Sequence, residues 1–244
     1  MSIFRTEDVR ETARRFNRIP SVVIALFTVS VVSMNILANK TIFQTDWIAI
    51  DGGILVSWLS FLCMDIVTKA FGPRVSNRMT LFAIGVNLLV CLIFFGASLI
   101  PTKEDYSAFN TIIGGTWFIL LSSTVAFLAS GFLNNFMNYA VGKLFRKNPD
   151  GKAAFVVRSY VSTFVGQFFD NFVFALLTFT VFAPVFWNGF HWTVLQCFTC
   201  SVLGALVELA MEAVFSPFGY MVLKRWKKQG IGVTGPHLTE GGEE

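Results

Sequence analysis

Apolar runs of about twenty residues alternate with short polar segments along most of this chain. A helix needs roughly 20 apolar residues to cross about 30 Å of hydrocarbon. By that measure six spans are predicted, over about residues 20–38, 53–70, 78–100, 115–141, 156–182 and 192–223. The last run would reach about 48 Å at a rise of 1.5 Å per residue. Pro217 is therefore expected to kink or end it, because proline removes a backbone donor. The first run has basic flanks, exceeds a signal-peptide core and lacks a clear small-residue cleavage site, so it reads as a retained helix. Between the first two spans, residues 40–52 are extended in character, with Thr, Ile and Trp bounded by Asp-Gly-Gly. Either a hairpin or a re-entrant cap fits there, and at membrane depth such backbone needs shelter from protein or a cavity.

Composition removes the alternatives to a membrane protein. Of 244 residues, 54% are hydrophobic and 14% charged, against about 25% charged in a soluble domain. A soluble fold of this length has too little interior for so much apolar surface. A soluble enzyme, a disordered chain and a secreted disulfide scaffold are thereby excluded. The four cysteines (Cys63, Cys91, Cys197 and Cys200) lie in apolar runs and read as small hydrophobes. The expected fold is all-α and polytopic, with six transmembrane helices.

The net charge of +4 matters less than where the cations fall. With the N-terminus inside, every Lys and Arg except Lys40 and Lys103 is cytoplasmic, which places both termini on that side. Basic clusters between apolar runs are membrane topology, so no nucleic-acid partner is expected. Residues 1–18 read as a basic cytoplasmic segment with a short surface helix at the inner leaflet. Residues 19–226 form the membrane domain, and 227–244 a cytoplasmic tail expected to be disordered.

Polar groups inside the spans carry the functional signal, since ionisable residues there cost about 2.5–3.5 kcal/mol each on insertion scales. Thr163, Gln167, Asp170, Asn171 and Phe174 recur at helical spacing on one face of the fifth span. Gly204, Glu208 and Glu212 stack on the sixth, and Phe61, Asp65 and Lys69 on the second. Asn35 and Asn39 close the first. Carboxylates and amides among phenylalanines suit a planar ligand with several N–H donors. Blander readings compete for some of these. Lys69 either snorkels to the inner interface or pairs with Glu208. Asn134, Asn135 and Asn138 read as helix–helix hydrogen bonds. Cys197 and Cys200 have CxxC spacing, but on an apolar helix packing is the expected role. Glu212, one turn from Glu208, is the candidate for a proton that is bound and released. Walker, HExxH and Gly-x-Ser-x-Gly patterns are absent, so no enzyme, metal or cofactor is expected.

Four stretches resemble the queuosine-precursor transporters, a family grouped with vitamin-uptake transporters. They are residues 33–40 (SMNILANK), 65–72 (DIVTKAFG), 162–170 (STFVGQFFD), and Glu212 with Phe215-Ser216-Pro217. The similarity spans about residues 30–226. It implies a six-helix importer of queuine or a related 7-deazaguanine base in the bacterial inner membrane. The base would bind near the midplane among the first, second, fifth and sixth helices. Lys69 and Glu208 depart from the family's pattern, with their charges exchanged; a preserved Lys69–Glu208 pair and an altered substrate preference are equally compatible with this. Expected partners are a purine-like base and the lipid bilayer; a homo-oligomer is compatible with the sequence. Two other readings stay open: the binding subunit of a multi-component vitamin importer, and a non-transporting scaffold or sensor.

Overall fold

In a computed structural model the protein is a succession of long helices interrupted by one hairpin. The structure describes residues 6–144 and 152–232, without the side chains of 6–9, 131–132, 134–144, 152–163, 212 and 216. A surface helix α1 (Thr6–Phe16) leads into α2 (Ser21–Leu37), then strands β1 (Thr41–Gln44) and β2 (Ala49–Asp51). Next come α3 (Ile54–Phe71), α4 (Pro73–Ser98), a short α5 (Ser107–Gly114) and α6 (Thr116–Leu144). Helix α7 (Lys152–Ala175) passes through a π-helical segment (Leu176–Phe182) into α8 (Ala183–Phe186), and α9 (Val194–Lys228) follows. Five helical stretches are long and apolar enough to cross a membrane: Ile54–Phe71, Pro73–Ser98, Ser107–Ser130, Phe164–Phe186 and Val194–Phe215. A sixth is added when Arg10–Phe16 and α2, bent by 92° at their junction, are taken together.

Three boundaries differ from the sequence expectation, each for a backbone reason. The third span begins at Pro73 rather than near residue 78. Gly72, at φ 92°, ends α3 and donates its N–H to the Thr68 carbonyl, so the chain turns at once into Pro73, whose missing N–H costs nothing in a first turn. Pro217 does not end the last helix, which runs unbroken through it to Lys228. The proline removes a single backbone bond from a helix of 35 residues. The fifth span widens to π geometry just ahead of Pro184. Pro184 lacks an N–H and its ring crowds the carbonyl four residues back, so the Ala183 N–H bonds to the Thr178 carbonyl instead. That register leaves the Phe179 carbonyl free to accept the Trp192 N–H at 3.1 Å, and the two rings stack at 3.8 Å.

The hairpin is the departure from an all-helical chain among the described residues. Its strands pair antiparallel, Thr41 with Asp51 and Gln44 with Ala49. Its far end is tied to α9. Gln196 Nε2 donates to the Thr45 carbonyl at 2.6 Å, and Thr199 Oγ1 donates to the Trp47 carbonyl at 2.7 Å. Gln196 also accepts the Thr193 N–H through Oε1, while Thr193 Oγ1 accepts the Gln196 N–H, a reciprocal cap on the start of α9.

By internal packing the chain divides into two units. The first comprises Met1–Val32, Val56–Asn87 and Glu212–Glu244. Its core includes Phe27, Val67, Phe71, Val75, Met79 and Trp226. The second comprises Ser33–Leu55 and Leu88–Met211. There α6 packs along α7, and Phe179, Trp192, Cys197 and Cys200 form one core cluster. The two cysteines of the CxxC spacing are thus buried thiols in an aromatic layer, as the packing role requires.

Two outcomes follow from the hairpin. A Cβ on Gly52 would lie 2.6 Å from the Leu37 carbonyl oxygen, whereas one on Gly85 would meet nothing within 4 Å. Gly52→Ala should therefore lower the thermal midpoint of the detergent-solubilised chain, at a cost of about 1–3 kcal/mol. Gly85→Ala should leave it unchanged or raise it. Burial lifts the Asp51 carboxyl from 3.8 up to about 6, partly opposed by the Gly53 N–H that it accepts. The folded chain then holds a proton that the unfolded chain releases, so stability contributed here falls as pH rises from about 4 to about 6. Asp51→Asn, which keeps the acceptor, should flatten that part of a midpoint-against-pH curve.

Candidate functional site

The second unit gathers most of the polar residues singled out in the membrane helices. Gln167, Asp170, Asn171 and Phe174 share a face of α7, spaced by three, four and seven residues. Gln167 is buried, and Asp170 and Asn171 are partly so. The two adjacent polar residues serve different neighbours. Asp170 Oδ1 accepts the Ser130 hydroxyl of α6 at 2.9 Å, while Asn171 Nδ2 donates to Glu208 Oε2 of α9 at 3.5 Å. A step of 100° along the helix separates them, which is how one helix engages both of its partners.

Glycine makes the α7–α9 contact possible. A Cβ on Gly204 would lie 2.8 Å from Asn171 Nδ2, so the amide occupies the space that a side chain would fill. Glu208, one turn further along α9, is 4% exposed. Cys200, one turn the other way from Gly204, lies within electrostatic reach of both Glu208 and Asp51. The carboxylates of the hairpin and of α9 thus bracket a thiol in the same unit.

Four amides have a buried side-chain atom without a partner among the described residues, Asn35, Asn39, Asn87 and Gln167, and two of them are binding candidates from the sequence. Asn35, near the end of α2, is 1% exposed and its Nδ2 meets no partner among the described residues. Gln167 is 8% exposed, and its Oε1 meets none either. An unsatisfied buried polar atom costs about 1–3 kcal/mol, so each marks a place where an incoming hydrogen-bonding group is favoured. Asn39 donates its Nδ2 to the Ile36 carbonyl at 2.9 Å, a local helix-end contact, while its Oδ1 meets no partner among the described residues.

The first unit holds the remaining pair. Lys69 Nζ donates to Asp65 Oδ2 at 2.6 Å, one turn back on α3, with both side chains substantially exposed. The ion pair formed by Lys69 among the described residues is this local one. The side chains of Thr163, Glu212, Asn134, Asn135 and Asn138 lie outside the described residues, as does the tail from 233 onward. Sequence reasoning missed Ser130, whose signal was the small-residue triplet Ala129-Ser130-Gly131 in α6, a pattern of close helix packing. It also missed the Thr193-x-x-Gln196 cap, which is legible as a spacing.

A polytopic helical membrane protein with amides and carboxylates held among aromatic helices is the architecture of a small-molecule carrier. Residues 51–222 match the family described as putative vitamin uptake transporter, and the chain belongs to that family. It is also 24% identical to the probable queuosine precursor transporter of Bacillus subtilis (strain 168) over 197 residues, which are 79% of this chain and 80% of that protein. No solved structure matches it.

The Gly204–Asn171 contact can be tested by a mutant cycle. Gly204→Ala alone should destabilise the chain by about 1–3 kcal/mol, because the amide must move. In an Asn171→Ala background, where the obstructing atoms are gone, the same change should cost much less. Additive losses in thermal midpoint would place the strain elsewhere.

Proposed function

We propose that this protein imports a queuosine precursor, queuine or a related 7-deazaguanine base, across the bacterial inner membrane, with both termini cytoplasmic. The binding residues in this reading are Asn35, Gln167, Asp170, Asn171 and Glu208, all from the second unit. The observation that carries it is the polar face of α7. Gln167 is buried there with Oε1 unpartnered, beside a carboxylate and an amide that already bridge to α6 and α9. A 7-deazaguanine edge offers adjacent N–H donors and a carbonyl. Ser130 occupies Asp170 Oδ1, which leaves Oδ2 to accept from the base, with Gln167 Oε1 as a further acceptor and Asn35 Nδ2 as a donor. Phe174 and neighbouring rings supply apolar walls for its faces. The name of the Bacillus subtilis relative supports the substrate class. The exposed cations of the first unit support the orientation, because basic residues collect on the cytoplasmic side.

The test is uptake of radiolabelled 7-deazaguanine by the purified chain in liposomes. Transport by the chain alone also separates this reading from a binding subunit that needs a partner ATPase. Asp170→Asn keeps the volume and the acceptor for Ser130 but removes the charge. A hydrogen bond to a charged group contributes about 1.5–3 kcal/mol, so uptake should fall by roughly ten- to a hundredfold while the thermal midpoint stays near wild type. Wild-type uptake by Asp170→Asn would overturn the assignment.

A further inference from the structure

We infer that the first unit carries a binding surface for anionic phospholipid headgroups, built where the ends of α1, α3, α4 and α9 meet. The placement begins with α1. It turns by 92° from α2, so where α2 crosses the bilayer α1 runs along its surface. Arg10, Arg14 and Arg18 recur every four residues and are exposed, forming one basic stripe. Arg15 leaves that stripe to pair with Glu11. On the opposite side Phe16 packs on Phe82 of α4 at 6.1 Å. The arrangement is that of an interfacial helix, apolar toward the protein and basic toward the headgroups.

Two contacts tie this segment to other basic segments, and a third joins those to α3. The Arg78 guanidinium of α4 lies 5.7 Å over the Phe16 ring. Arg18 Nη2 donates to the Gly230 carbonyl at 3.0 Å. Gly230, at φ 65°, closes α9 in a tight cap, in which the Ile231 N–H returns to the Trp226 carbonyl at 2.9 Å. Trp226 in turn meets Phe71, at the end of α3, edge-on at 6.0 Å. These contacts bring exposed Arg74 and Arg78 from α4, and Lys224, Arg225, Lys227 and Lys228 from α9, to the same end of the unit as the α1 stripe.

Charge complementarity names the occupant. Among the described side chains of this unit the carboxylates are Glu11 and Asp65, and each is already in an ion pair. Arg10, Arg14 and Arg18 are exposed and enter no ion pair among the described side chains. Near an anionic membrane surface each Lys or Arg contributes about fivefold to association. Three arginines on one stripe therefore amount to about a hundredfold preference for anionic over zwitterionic lipid.

The test uses the purified full-length chain in detergent, titrated separately with phosphatidylglycerol, phosphatidylcholine and glycerol 3-phosphate while the thermal midpoint is followed. No substrate is needed, so the result stands apart from the transport assignment. Phosphatidylglycerol should raise the midpoint, in a manner weakened by salt, and the other two should not. The variant combining Arg10→Gln, Arg14→Gln and Arg18→Gln should need about a hundredfold more phosphatidylglycerol for the same rise. If that variant does not fold, the charge-preserving set Arg10→Lys, Arg14→Lys and Arg18→Lys decides the matter by keeping the wild-type response. No response of the wild type to phosphatidylglycerol overturns the inference. So does an equal response to phosphatidylcholine, or a glutamine variant that responds as the wild type does. A response to glycerol 3-phosphate as strong as to the lipid would assign the surface to soluble phosphates instead, and a lost response in the lysine variant would exclude a headgroup site based on charge.

Discussion

Hydrocarbon offers no hydrogen bonds, so a chain that lives in it must satisfy its own backbone. Where this protein leaves helical geometry, that requirement explains the local sequence. The Phe179 carbonyl, released when the helix widens before Pro184, is taken up by the Trp192 N–H. The Thr45 and Trp47 carbonyls at the hairpin tip are capped by Gln196 and Thr199 of α9. The Gly52 N–H returns to the Lys40 carbonyl at 2.8 Å, closing the junction between α2 and the hairpin. A hairpin that lacked these side-chain donors would expose polar backbone, and α9 supplies them from Thr199 and from Gln196, which also caps its first turn.

Close approach is the second device, and it depends on glycine. At Gly52 the backbone passes the Leu37 carbonyl, and at Gly53 the Asp51 carboxylate, at distances that a Cβ would violate. At Gly204 the space goes instead to the Asn171 amide, which then reaches Glu208. The same omission of a side chain thus serves folding in one place and the polar centre in the other. Membrane helices associate without a hydrophobic driving force, so such close contacts and interhelical hydrogen bonds carry much of the packing energy.

How much of this was legible follows from what periodicity can encode. The six apolar runs and the polar face of α7 stand in the sequence because burial against lipid or protein imposes a 3.6-residue period. The role of Ser130 was not legible, since a serine in a helix carries no record of which carboxylate it meets. Lys69 shows the same limit. The sequence left Lys69 open between snorkelling and a pair with Glu208, and among the described residues its ion pair is with Asp65, one turn back. Pro217 does not end α9, because proline's effect depends on its surroundings. In α9 the surrounding turns keep helical geometry, whereas Pro184 shifts the register.

Asn35 and Gln167 raise a different question, because their unmet atoms make the protein less stable than a leucine-filled interior would be. The cost falls on the ligand-free state. A ligand that supplies the missing donor and acceptor recovers it, so part of its binding energy is the relief of a penalty built into the fold. Such a ligand also stabilises the folded chain by mass action, about 2.7 kcal/mol at a hundred times its dissociation constant. The same argument favours polar ligands over apolar ones of equal shape. In the proposed binding of a base, an apolar molecule would leave both amide atoms unsatisfied and remove whatever water reached them, so discrimination would arise from the groups that the empty protein fails to satisfy.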